Sequence, residues 1–228
     1  MTEKNEKVVV KELTATPNKS EAFFVKNKKT IIGSCVAVLV IIVGILLYKT
    51  YVSAPRADKA STELAKAQEL FNNEQFDKAN QSFLKIISDY SGTDAANLAN
   101  LYAGLCYANQ DKWADAVTYL EKFSSRDDAM ISPAAMAALG NAYANTGNID
   151  KAIDALKKAA SMADSKSIND ANYSISATFL IQAGQLLESQ GKNDEALKVY
   201  QDVKAKYVNA QQVQSNEIEK YIQRLQQK

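Results

Sequence analysis

LGNAYANTGNIDKAIDALKKA, residues 139–159, is the stretch on which the fold turns. Two helical patterns flank a Thr146-Gly147-Asn148 turn signal: Leu139, Gly140 and Tyr143 before it, and Ala152, Leu156 and Ala159 after it, at spacings of three and four. Gly140 precedes Ala152 by twelve residues. A glycine on one helix and an alanine on the next let two antiparallel axes approach closely, and larger apolar side chains fill the gaps beside them. The same twelve-residue separation recurs between Ala67 and Ala79, Gly104 and Ala116, and Gly184 and Ala196. One period sets four helix pairs in register.

Successive small residues Ala67, Gly104, Gly140 and Gly184 are spaced by 37, 36 and 44. These lie near a 34-residue repeat with extra residues between units. Phe76, Phe83 and Ile86 accompany the first pair, Tyr107, Trp113, Leu120 and Phe123 the second, and Leu187, Gly191, Tyr200 and Val203 the fourth. From about Ala60 to Tyr207 the chain resembles the tetratricopeptide repeat family. It departs from that pattern at Glu63 and Asn100, where a tryptophan or leucine is usual, and in lacking the proline that closes each unit. Ser161 to Asn169 reads as a polar loop that lengthens the last spacing. Ile218, Tyr221, Ile222 and Leu225 predict an amphipathic helix that caps the open end.

Composition agrees with an all-α chain. Among 228 residues there are three prolines and eight glycines, too few for a strand-and-turn architecture. Thr30 to Tyr48 carries no charge, and at 1.5 Å per residue it makes about 28 Å of helix, enough to span a bilayer core. Lys26, Lys28 and Lys29 precede it, Tyr48 ends it and Lys49 and Tyr51 follow, types suited to the two interfaces. A cleaved signal fits less well, because 29 residues lead the apolar run and Pro55 would follow the cut. The expected organisation is therefore a disordered tail over 1–29, a transmembrane helix over 30–48, a linker over 49–59 and the repeat domain over 60–228. The lysine cluster at 26–29 favours a cytoplasmic N-terminus in a bacterial inner membrane, with the repeat domain in the periplasm.

The chain has no histidine, which removes the usual general base and the commonest imidazole metal ligand. Its acidic residues sit beside lysines on polar helix faces, and no catalytic constellation, metal set or cofactor site emerges. Cys35 and Cys106 cannot frame a disulfide, since one lies in the apolar run and the other in a repeat helix. Ile32-Gly33-Ser34-Cys35 is not a lipoprotein signal, because the apolar stretch follows the cysteine rather than preceding it. From Ser53 onward 19 basic and 22 acidic residues nearly balance, with no basic stripe for nucleic acid.

Function in such an array belongs to the concave face, which the first helix of each pair lines. The repeat register assigns to it Leu64, Gln68 and Phe71, then Leu101, Leu105 and Asn109, then Ala137, Asn141 and Asn145, then Ile181, Gln185 and Glu188. Asn141 and Asn145 match the asparagines of a carboxylate clamp, but Ala137 and Ala138 stand where such a clamp needs basic residues. Small side chains with amides suit a helix or an unfolded segment, whose backbone groups Asn and Gln satisfy. A segment of the chain itself or a second copy would also fit.

The Phe23-Phe24 pair before a lysine-bracketed span, with an alanine-rich helix from Ala60 behind it, is similar to the YfgM-type ancillary subunits of the SecYEG translocon, chiefly over Ser20 to Gln68. That resemblance implies a single-span inner-membrane protein whose periplasmic repeats work beside the translocon and with periplasmic chaperones. A scaffold for envelope assembly or cell division is the alternative.

Overall fold

The computed structural model describes residues 19–167, 171–173 and 175–227, so residues 1–18 of the expected tail lie outside the described residues. Two compact units divide the chain, the first ending at Pro55 and the second running over Arg56–Lys228.

In the first unit, α1 (Lys19–Tyr48) contains the whole apolar run. It starts earlier than the sequence suggests: the stretch from Lys19 to Lys29, assigned to the tail, is helical. No proline or glycine lies between Asn18 and Gly33 to stop it. Every side chain from Ile32 to Tyr48 is exposed, so no described residue covers this run. The expected linker is helical as well. A π-helical turn (Lys49–Ser53) leads into α2 (Ala54–Asn72), and the Ala54 N–H reaches back five residues to the Lys49 carbonyl. Pro55 has no N–H to give an ordinary α-helical bond, and a wider turn ahead of it absorbs that gap.

The second unit is built of helix pairs. After α2 come α3 (Phe76–Asp89), α4 (Asp94–Ala108), α5 (Trp113–Leu120), α6 (Ile131–Asn145), α7 (Ile149–Asp164), α8 (Ser176–Ser189) and α9 (Asn193–Lys206). A short α10 (Gln211–Gln214) and α11 (Glu217–Gln226) close the chain, and there is no strand among the described residues. The small residues act as the spacing implied. A Cβ on Gly104 would lie 2.6 Å from Leu120 Cγ, one on Gly140 3.0 Å from Leu156 Cγ, and one on Gly184 2.4 Å from Tyr200 Cε1. Facing them, Ala116, Ala152 and Ala196 are fully buried.

Each pair turns the same way. The N–H groups of Gln75, Lys112, Asn148 and Lys192 bond to the carbonyls of Leu70, Tyr107, Tyr143 and Leu187 at 2.8–2.9 Å, the six-residue closure of a Schellman-type helix end. That closure puts one residue per turn in the left-handed region: Glu74 and Asp111 at φ 57°, Gly147 at 79° and Gly191 at 73°. Glycine adopts this conformation freely, whereas Glu and Asp are strained by their Cβ. Asp111→Gly is therefore expected to stabilise the domain by about 1 kcal/mol, read as a raised urea midpoint at unchanged slope.

The core forms three clusters along the array, each bridging neighbouring helices. Phe83, fully buried, stacks on Tyr102 with ring centroids 5.2 Å apart, joining the first pair to the second. Leu101, Leu120 and Ala135 join the second to the third, and Leu156, Ile181, Leu187 and Tyr200 form the largest cluster toward the C-terminus. On α11, Ile218, Ile222 and Leu225 are buried, which makes it the expected cap. The expected loop from Ser161 begins later, because α7 runs on to Asp164 with Ala160 and Ala163 buried along its apolar face. Residues 168 and 169 of that stretch lie outside the described residues.

Candidate functional site

The twelve residues assigned to the concave face separate into three sets. Leu64, Leu101, Ala137 and Ile181, each three positions before the small residue of its unit, are 4–7% exposed and belong to the core clusters. They hold the helices together and offer a ligand little surface. Periodicity places them on the inner side of their helices, but it does not tell how far the neighbouring pair closes over them.

The second set is open. Leu105 is half-buried, and Asn109, Asn141 and Asn145 are exposed along α4 and α6. Asn109 Nδ2 donates to the Leu105 carbonyl at 2.8 Å, and Asn145 Nδ2 to the Asn141 carbonyl at 2.9 Å, so both side chains fold onto their own helix ends. Each keeps a carbonyl oxygen to offer as an acceptor. Gln68 and Phe71 on α2 are half-buried, and Phe71 packs edge-on against Phe76 and Tyr102 at 5.4 Å, which gives its ring a structural role.

The third set is occupied. Gln185 Nε2 donates to Tyr221 Oη at 3.3 Å. Glu188 accepts from Tyr200 Oη at 2.7 Å and from Arg224 Nη2 at 2.5 Å. Tyr221 and Arg224 both lie on α11, and Tyr221 stacks on Tyr200 with centroids 5.2 Å apart. The capping helix therefore bonds both polar residues that the fourth unit contributes to this face, leaving Gln185 exposed and Glu188 half-buried.

Four cavities of about 320–530 Å³ are lined by none of the twelve residues. The largest lies between α2 and α3, bordered by Glu63, Leu70, Lys85 and Tyr90. Another, of about 370 Å³, opens beside Asp164, Lys206 and Tyr207. Asp164 is a junction that the sequence did not reveal. It accepts from the Asn172 N–H at 2.9 Å, Lys206 Nζ at 2.6 Å and Tyr207 Oη at 2.5 Å, tying the end of α7 to the segment before α8 and to the end of α9. Burial pushes its carboxyl up, but the Asn172 N–H, Lys206 and the Ser176 and Tyr207 hydroxyls outweigh that and hold it below the usual value. Burial, with a smaller contribution from Asp77, pushes the Cys106 thiol up to about 12, which leaves it an inert packing group. No group of three or more His, Cys, Asp or Glu side chains is poised to hold a metal ion among the described residues.

The chain belongs to the tetratricopeptide repeat-like domain family, which it matches over residues 21–227. Such a repeat array is typically a non-catalytic scaffold that mediates protein–protein interaction. Nearly identical TPR-like repeats described for a Podosopora anserina kinesin light chain share its fold at TM-score 0.54 and 13% identity, covering 75% of this chain and 96% of that one. A crystal structure of MamA protein aligns at TM-score 0.51 and 20% identity, covering 73% of this chain and 89% of that one. No curated protein matches.

Proposed function

We propose that this chain is a membrane-tethered polypeptide-binding module that works beside a protein-conducting channel in a bacterial inner membrane. The observation that supports this reading is the pairing, in one chain, of an apolar helix that no described residue covers with a repeat array whose middle units present an open row of amides. A bilayer is the solvent in which the side chains from Ile32 to Tyr48 stop costing free energy, since each would otherwise expose its apolar area to water. Lys26, Lys28 and Lys29 support a cytoplasmic N-terminus, and with it a periplasmic repeat domain. Tethering raises the local concentration of the array around a polypeptide emerging from the channel, so weak contacts suffice. The similarity of the segment from Ser20 to Gln68 to YfgM-type subunits supports the translocon as neighbour and a chaperone-like role. On this reading the chain performs no catalysis and needs no cofactor.

An envelope-assembly or cell-division scaffold would use the same parts differently, with the face gripping one folded partner. Cys35 separates the two, being exposed on α1. A thiol-directed photo-crosslinker on Cys35 in native membranes is expected to capture channel subunits. Recovery of only division or cell-wall proteins would contradict the translocon reading.

A further inference from the structure

We infer that α11 is an internal ligand of the repeat array, one that competes with the polypeptide partner for the C-terminal quarter of the first-helix face. The inference rests on the polypeptide-binding reading above and assigns the site a built-in restraint. Three observations carry it. The two polar residues that the repeat register gives to the partner in the fourth unit, Gln185 and Glu188, are bonded instead by Tyr221 and Arg224 of the chain's own last helix. The contact has the form of helix-in-groove recognition: Ile218, Ile222 and Leu225 recur at four and three, all buried, with Tyr221 and Arg224 alongside meeting the polar rim. Finally, α11 hangs on a short connection. Beyond Tyr207 only the four-residue α10 intervenes, and Asn216, which enters α11, sits at φ 57°, a conformation asparagine tolerates.

A terminal helix held through one face and two ion pairs, Arg224 to Glu188 and Lys204 to Glu219, can open before the array unfolds globally. The contacts that α11 makes on this face come from a cation and a hydroxyl, Arg224 on Glu188 and Tyr221 on Gln185. A partner that replaces α11 reproduces that pattern, a cation beside apolar residues spaced by four and three. The occupant this face selects is a basic amphipathic helix, and α11 excludes segments that lack that pattern.

The test uses the full chain in detergent, fluorescein-labelled unfolded ribonuclease A (reduced and carbamidomethylated, a basic probe) and anisotropy. Arg224→Ala and Arg224→Gln, each checked for unchanged helix content, are expected to bind the probe about three- to tenfold more tightly than the parent, because the competing contact is weakened. A synthetic peptide of residues 211–227 is expected to displace the probe from the Arg224→Ala chain. Equal or weaker probe binding by both variants, or failure of the peptide to displace the probe, would overturn the internal-ligand assignment while leaving the binding reading intact. Absence of probe binding by every form would overturn the binding reading itself, and the restraint with it.

Discussion

Tyr200→Ala is expected to remove about 3–5 kcal/mol of stability, the cost of deleting a large, fully buried aromatic ring. Few positions in the chain join so many parts. The ring fills the notch that Gly184 leaves on α8, stacks on Tyr221 of α11 and donates its hydroxyl to Glu188. Removing it leaves a cavity between the fourth helix pair and the cap and takes a donor from a carboxylate that is mostly shielded from water. In a linear array each unit depends on its neighbours, so the loss falls first on the C-terminal end. Hydrogen exchange is expected to show α8, α9 and α11 losing protection while α3 and α4 keep theirs. Tyr200→Phe keeps the ring and should cost only about 1 kcal/mol, the net worth of one hydrogen bond. Equal losses for the two variants in urea denaturation would show that packing against Gly184 is not what the ring supplies.

Asp164→Ala is the second large effect, expected at about 3 kcal/mol, because it strands buried donors rather than merely removing a contact. Tyr207 is 2% exposed, and its hydroxyl and the Asn172 N–H would lose their acceptor. The same group predicts a pH dependence. Its folded pKa is held below the usual aspartate value, so its contribution is complete above the unfolded-state pKa and is lost as pH falls through the folded one. Stability of the parent chain is expected to be level in this respect above about pH 5 and to fall on acidification from about pH 4 downward. Asp164→Ala should lack this component, so that the gap between the two urea midpoints narrows toward pH 3. A gap that widens on acidification would contradict the assignment.

The fold was legible in the sequence because a single constraint repeats. Close approach of two helices needs a small residue on each, and Gly104 with Ala116, or Gly184 with Ala196, advertises that need at a fixed separation wherever it occurs. The turns were partly legible: Gly147 and Gly191 mark left-handed positions, whereas Glu74 and Asp111 occupy the same conformation and give no local sign of it. The early start of α1 at Lys19 and the helical run from Lys49 to Ala60 were missed for a related reason. Charged and small polar residues are compatible with helix and with tail, and only continuity with the apolar run decides between them.

The candidate face was read less completely. A helical register fixes which side of α4 or α6 a residue occupies, and this placed Asn109, Asn141 and Asn145 where they are exposed. It cannot tell how closely the next unit packs, so Leu64 and Ala137 were grouped with the open residues although both are core. Nor can it foresee long-range partners. Glu188 meets Arg224, 36 residues away, and Asp164 meets Tyr207, 43 away, and neither pair leaves a pattern in the local sequence.

The central claim is that polypeptide binds along the amide row of the middle units while the apolar helix holds the array at a membrane. Full-length chain reconstituted in vesicles, with a photo-crosslinking residue at Asn141 on α6 or at Asp154 on the exposed side of α7, tests it most directly. With the same unfolded ribonuclease A added outside, the account predicts strong crosslinking from position 141 in vesicle-bound protein and little from 154. Equal crosslinking from both positions, or crosslinking from 154 alone, would contradict it.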